Sequence, residues 1–270
     1  MPELPEVETT RRGVAPYVER HKVTNVRVYD SRLRWPVPPD LAQKIVGRRV
    51  QRVERRSKYL LFQFEPGTLI VHLGMTGSLR AHRAPTARQK HDHVDLEFDN
   101  GVVLRYRDPR RFGTMLWSEA GEAHPLLSPL GPEPLSDRFD AEHLYRATRR
   151  RTGAIKSALM DSRVVVGVGN IYANEALFRA GIRPTRMARR LTRPRLAKLV
   201  AATRATLEDA IAKGGSTLRD YVDSEGNAGN FQLGHFVYGR EGEPCRVCGR
   251  TIKALRLGGR ATTYCPGCQT

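Results

Sequence analysis

Several things are missing from this 270-residue chain. No stretch approaches the ~18 consecutive apolar residues of a membrane span. No basic-then-apolar segment precedes a small-residue cleavage site, so a cytosolic location is expected. Neither G-x-S-x-G, nor H-E-x-x-H, nor the P-loop lysine pattern occurs, which removes the usual hydrolase and nucleotidase signatures. Cysteine is scarce: there are four, all at position 245 or beyond. In a reducing compartment such a cluster argues for metal rather than disulfides. Acid is also short, with 28 Asp and Glu against 46 Lys and Arg, a formal charge of +18 and a pI near 10.4. That excess goes beyond what solubility needs and points to a polyanion, of which nucleic acid is the commonest. A merely basic surface is the competing explanation.

The length favours two domains, or two plus a small module. Over the first ~130 residues, "VTNVRV" (23–28), "YLLFQF" (59–64), "TLIVHL" (68–73) and "HVDLEF" (93–98) are rich in β-branched and aromatic residues with partial alternation, which predicts strands. Asn100-Gly101 between "HVDLEF" and "VVLRY" predicts a hairpin, both residues tolerating positive φ. This half is expected to be an antiparallel sandwich or barrel with a short helix near "EVETTRRGV". Prolines 125, 129, 132 and 134 mark 124–138 as a linker. Beyond it the period becomes helical: Leu196, Leu199, Val200, Thr203, Leu207, Ala210 and Ile211 share a face, with Thr192 as N-cap, Pro194 in the first turn and Gly214 as terminator. "NIYANEALFRAG" (170–181) reads as a second helix ended by Gly181.

Cys245, Cys248, Cys265 and Cys268 form C-x2-C-x16-C-x2-C. Each close pair supplies two thiolates from one turn, and the intervening loop is long enough for a β-hairpin that joins the pairs around one tetrahedral zinc ion. Four cysteine ligands leave no position for water, so the metal is structural. Arg250, Lys253, Arg256 and Arg260 lie between the pairs and suit phosphate binding. In "VVVGVGNIYANE" (164–175) two glycines precede a helix start, where free N–H groups can meet a phosphate. Close packing explains the same glycines, and Asn170 either caps the helix or donates to the anion. The spacing does not fit a dinucleotide fingerprint.

The N-terminus, "MPELPEVETT", offers the remaining chemistry. Removal of methionine ahead of proline leaves Pro2 with a secondary amine. With an α-amino pKa of about 8, roughly a fifth of such groups are unprotonated near pH 7.4. Attack on a sugar C1′ yields an iminium, an electron sink, and Glu3 stands close enough to move a proton. On these residues alone, a helix start whose acids complement the dipole is the favoured explanation of Pro2, Glu3 and Glu6.

Seven segments in order, "PELPEVET", "SKYLLF", "HLGMTGSL", "KHDHVDL", "DPRRFG", "VVGVGNIYANE" and "GRATTYCPGCQ", resemble the bacterial formamidopyrimidine-DNA glycosylases. The resemblance spans nearly the whole chain. It implies an α+β protein: an antiparallel β-sandwich flanked by helices (1–130), a linker and start of the helical domain (131–150), a helix-two-turns-helix DNA-binding domain (151–235) and a zinc finger (236–270). It implies excision of 8-oxoguanine and formamidopyrimidines from damaged double-stranded DNA, strand cleavage at the abasic site and no redox cofactor. Nothing in the sequence suggests an obligate oligomer, and a monomer is expected. Carried over by position, Pro2 forms the Schiff base, Glu3 assists sugar opening, Lys58 serves β-elimination and Arg260 δ-elimination. Met75, Arg110 and Phe112 match the set that fills the gap left by the extruded base. His91, Arg151 and Asn170 match DNA contacts, with His72 and Lys156 as phosphate contacts. Glu6 orients the nucleophile or the base, or caps the helix. Two departures stand out: arginine at 151 where lysine is familiar, and Asn230-Phe231 within 216–236 where Gly-Tyr is common. The second leaves the ranking of oxidised bases open. The alternatives are an endonuclease VIII-like enzyme for oxidised pyrimidines, and a catalytically silent zinc-containing DNA-binding protein.

Overall fold

The structure, a computed structural model, describes residues 2–83, 86–121, 124–215 and 234–270. These divide into two compact units, one of residues up to 128 with 213–215, the other of 129–212 and 234–270. Among the described residues no helix is long and apolar enough to cross a membrane. The sequence departures at 230 and 231 lie outside the described residues.

The first unit holds α1 (Leu4–Val18), β1 (Val23–Val28), α2 (Leu41–Ile45), β2 (Arg52–Arg56), β3 (Tyr59–Gln63), β4 (Thr68–His72), β5 (Ser78–His82), β6 (Asp92–Phe98), β7 (Val103–Arg107) and β8 (Thr114–Ser118). They form two antiparallel four-stranded sheets, ordered β1-β6-β7-β5 and β2-β3-β4-β8. Leu60, Phe62, Leu69 and Val71 of one sheet and Leu79, Leu96, Leu104 and Tyr106 of the other share a single buried core, which α1 joins through Val7, Val14 and Val18. The expected sandwich is therefore present. Three strands carried no clear sequence signal, β2, β5 and β8, and all three are sheet edges. An edge strand needs only part of its length apolar: in β2, "RVERR", Val53 alone is buried. At Asn100-Gly101 only the glycine takes positive φ (80°). Asn100 works through its side chain, whose Oδ1 accepts the Val102 N–H at 3.1 Å.

The second unit begins at Pro129, within the proline-rich stretch 124–138, which carries turns but no helix or strand. It contains α3 (Ala141–Thr148), α4 (Ile155–Leu159), α5 (Asn170–Arg179), a 3-10 turn at Ala188–Arg190, α6 (Arg193–Ala212), and the hairpin β9 (Lys253–Leu257) and β10 (Arg260–Tyr264). Gly258 and Gly259, both at positive φ, make its two-residue turn. The zinc module is anchored to α5 by Glu175, 1% exposed, whose carboxylate accepts the N–H groups of Phe236, Val237 and Tyr238 at 2.8, 3.0 and 2.8 Å. Phe178 and Phe236 stack beside it, centroids 5.0 Å apart. After α6 the chain returns to the first unit, where Gly214 and Gly215 turn at positive φ and Gly215 lies against the Glu6 carboxylate of the same unit.

Candidate active site and nucleic-acid interface

Pro2 and Glu3 are buried. Glu3 is the N-cap of α1, in extended conformation, and forms a capping box with Glu6; the Glu3 N–H donates to Glu6 Oε2 at 2.8 Å. The helix-start explanation and the chemical one thus concern the same geometry: the reciprocal cap satisfies helix-end donors and at the same time holds a carboxylate beside the terminal residue. One turn on, Glu8 accepts from Arg11, Arg12 and Arg55. Burial alone would raise its pKa, but these guanidiniums outweigh it and hold the carboxylate below its ordinary range. Arg55 also donates to the Ser57 carbonyl at 3.0 Å. Ser57 (φ 58°) and Lys58 form the tight turn from β2 to β3, so the Lys58 turn is tied to α1 through Arg55 and Glu8.

His72 ends β4 opposite Tyr59, ring centroids 4.9 Å apart. Its Nδ1 accepts the Gly74 N–H at 3.0 Å, which leaves the ring proton on Nε2. Burial, then the charges of Lys58 and Arg34, push its pKa down from 6.5 to about 4. The imidazole is therefore a neutral single donor at pH 7, able to meet a phosphate oxygen without carrying charge. The shift has a stability consequence. The unfolded chain takes up this proton near pH 6.5 and the folded chain only near 4, so stability falls as pH falls through that window. His72→Gln should flatten this part of the profile. Urea unfolding at pH 7 and pH 4.5 measures it, and an unchanged difference between the two pH values would contradict the assignment.

Met75 and Phe112 are 39% and 45% exposed, two of the six large apolar side chains exposed among the described residues. They stand on two neighbouring segments, 74–77 and 108–113. These approach so closely that a Cβ on Gly74 would lie 2.5 Å from the Phe112 carbonyl carbon, and one on Gly113 would overlap the Tyr106 hydroxyl. Asp108, fully buried, organises both segments: it accepts from Thr76 Oγ1 (2.8 Å), Gly113 N–H (2.9 Å) and Arg110 N–H (3.3 Å), while its own N–H donates to the His91 carbonyl (3.1 Å). The Arg110 guanidinium lies over the Phe112 ring at 4.6 Å. Arg34, His72, Gly74, Met75, Arg111 and Phe112 line a concavity of about 540 Å³. Among the described residues four non-glycines adopt positive φ, and three of them, Ser57, His91 and Arg111, coincide with or adjoin expected site residues. Such strain collects where a side chain must be aimed. Asp108, Arg34 and Arg111 were not singled out in the sequence. The Asp-Pro step opening "DPRRFG", a turn former before two arginines, was the available signal for Asp108.

In the second unit, Lys156 is 1% exposed and its ammonium donates to Asn170 Oδ1 (2.6 Å), Ala261 O (3.0 Å) and Thr262 Oγ1 (2.7 Å). It brackets the zinc hairpin to α5, its donors turned to protein oxygens. Asn170 does not cap α5; Gly169 is the N-cap, and the Asn170 amide donates to Ala261 O at 3.0 Å. Asn174 adds a third tie, accepting from the Thr263 N–H at 3.2 Å. Together they hold the start of β10, and hence Arg260, beside the helix N-terminus. Arg151 pairs with Asp161 at 2.9 Å, which Arg163 also contacts. Burial would raise the Asp161 pKa, yet the two arginines hold it down to about 2.

The four cysteine sulfurs lie within 4.8 Å of one another, with Cys248 and Cys265 at 3.4 Å. A closed four-sulfur set of this size is what a structural zinc ion takes.

Three family models match the chain: the formamidopyrimidine-DNA glycosylase N-terminal domain over residues 1–115, its H2TH domain over 130–222, and the zinc finger found in FPG and IleRS over 242–270. The formamidopyrimidine-DNA glycosylase of Pseudomonas syringae pv. tomato is 56% identical over 269 residues, covering 100% of both chains. The MutM (Fpg) protein of Thermus thermophilus superposes with a TM-score of 0.88 at 43% identity, over 99% of this chain and 98% of that one. A Lactococcus lactis Fpg variant, solved in complex with DNA containing Fapy-dG, superposes at 0.92 with 34% identity over 100% of both. With identity and fold shared from end to end, the chain belongs to the formamidopyrimidine-DNA glycosylase family.

Proposed function

We propose that this chain excises oxidised purines, 8-oxoguanine and ring-opened formamidopyrimidines, from duplex DNA and then cleaves the strand at the abasic site by β- and δ-elimination. The observation that carries the reading is the buried Pro2–Glu3 start, locked by the Glu3–Glu6 capping box within a unit that also presents Met75, Arg110 and Phe112. Once Met1 is removed, the Pro2 nitrogen attacks C1′ as the base departs with the glycosidic bond's electrons, and the resulting iminium accepts the electron pair freed when C2′ loses its proton, from which the 3′ phosphate is expelled. Glu3 moves the proton that opens the sugar, while Glu6 holds the Glu3 backbone in place. Lys58, on its anchored turn, serves β-elimination. Arg260 acts in δ-elimination as a clamp that neutralises the leaving phosphate, since a guanidinium stays protonated.

Extruding a nucleotide costs a few kcal/mol of stacking and pairing. Phe112 wedges into the stack, and Met75 and Arg110 fill the vacated space, Arg110 facing the orphaned base. His72, His91, Arg151 and Asn170 contact the backbone, and Lys156 supports Asn170 and the hairpin. In this reading residues 1–130 carry the chemistry, 131–150 connect, 151–235 bind DNA and 236–270 form the zinc finger. Acting on duplex DNA places the protein at the bacterial nucleoid. The exposed Met75, Arg110 and Phe112 set favours purine over pyrimidine lesions. Excision of 8-oxoguanine opposite cytosine should exceed that of thymine glycol by at least about tenfold, a difference of ~1.4 kcal/mol in barrier. A preference for thymine glycol in single-turnover assays would overturn the assignment.

A further inference from the structure

The second unit carries a shelf of arginines that the proposed reaction leaves unused, apart from Arg151. Arg149, Arg150 and Arg151 leave the end of α3, and Arg186, Arg189 and Arg190 come from the loop and 3-10 turn ahead of α6. The two segments are joined through backbone: Ala188 N–H donates to Gly153 O (2.9 Å), Arg189 N–H to Arg151 O (3.3 Å) and Ile155 N–H to Arg186 O (2.8 Å). The Arg149 guanidinium donates to the carbonyls of Arg189 and Leu191. Tyr145 adds rigidity, with Arg149 at 4.0 Å and Arg193 at 3.5 Å from its ring centroid.

Acid nearby is already engaged. Asp161 pairs with Arg151 and Arg163, and Glu142 with Arg193 and Arg146. Among the described residues no carboxylate pairs with Arg150, Arg186, Arg189 or Arg190, all four exposed. The dipole at the end of α3 accounts for Arg149 and Arg150. It does not account for the three on the second loop, which lies beside the first through hydrogen bonds rather than sequence. Like charges held on a stiff scaffold repel, a cost that a polyanion would reverse. Guanidinium suits phosphate because it can donate two parallel hydrogen bonds.

We infer that this shelf is an additional, sequence-independent contact for the DNA backbone, continuous with Arg151 and lengthening the duplex held beyond the damaged site. The inference rests on the proposed action on DNA. Its test is the variant Arg186→Ser, Arg189→Ser, Arg190→Ser, compared with the unaltered protein on undamaged duplexes of about 12 and about 30 base pairs. On the long duplex the slope of log K against log salt should become shallower by about 2 to 3, near 0.9 for each phosphate no longer neutralised. The slope on the short duplex, excision of 8-oxoguanine from it, zinc content and melting temperature should stay unchanged. Replacing the same three residues by lysine should largely retain the slope. An unchanged slope on the long duplex overturns the inference, as does an equal loss on both lengths, which would place these arginines inside the lesion footprint. Should the unaltered protein excise nothing, the proposed activity fails while the slope comparison still decides the shelf.

Discussion

A chain bearing an uncleavable extension ahead of Pro2 is expected to lose base excision by at least about 10³-fold, and borohydride trapping on damaged duplex altogether. Binding of undamaged duplex should stay within a few-fold. An extension turns the amine into an amide, whose nitrogen lone pair is delocalised into the carbonyl and no longer attacks carbon. The basic surfaces that hold DNA are untouched. Glu3→Gln separates the two functions of this corner. The amide still accepts a hydrogen bond from the first turn of α1, so melting should shift little, a lost cap being worth only about 1 kcal/mol. It cannot move the proton, so excision should fall by about 10² to 10⁴. Mass spectrometry of the trapped adduct locates the covalent bond. Trapping that persists with the extension intact would place the nucleophile elsewhere.

The second large effect concerns the metal. Chelation at neutral pH, or Cys265→Ala, is expected to unfold β9 and β10 and to abolish excision, with recovery when zinc is restored to the unaltered chain. The apolar core of this module is small: Phe178, Val237, Ile252 and the buried Cys245 and Cys265. Structural zinc contributes an apparent ~10–16 kcal/mol in finger peptides at pH 7, far more than such a core supplies. The damage should also spread. Loss of the hairpin takes Ala261 O and Thr262 Oγ1 from the Lys156 ammonium, leaving a buried charge short of partners. Amide exchange should therefore rise at 253–264 and, to a lesser degree, around Asn170. Full protection of the hairpin after complete zinc removal would contradict this account.

Local chemistry was legible from the chain. The cysteine spacing specified a closed metal site because each C-x2-C is one turn of backbone. The helices α5 and α6 followed from apolar period and stop residues, and strands β1, β3, β4, β6 and β7 from β-branched and aromatic segments with partial alternation. Three of the four edge strands, β2, β5 and β8, were not legible, because a strand with one neighbour tolerates the charges of "RVERR". Asn170 illustrates the limit within a single residue. Its place at a helix start was evident, but its partner Ala261 lies 91 positions away, so nothing local distinguished a cap from a tie.

By itself, then, the sequence determined the zinc ligands, the basic character and, through seven ordered segments, the family. These depend on residue type and on spacings of a few positions, which the backbone converts directly into geometry. Only the tertiary structure decided that Asp108 gathers the Met75 and Phe112 segments and His91, and that His72 is neutral under burial and the field of Lys58. It alone showed Lys156 bracketing the zinc hairpin, and two arginine runs some forty residues apart forming one shelf. Each of these arises from long-range packing, which sets how many donors converge on one carboxylate and how much water an ionisable group keeps.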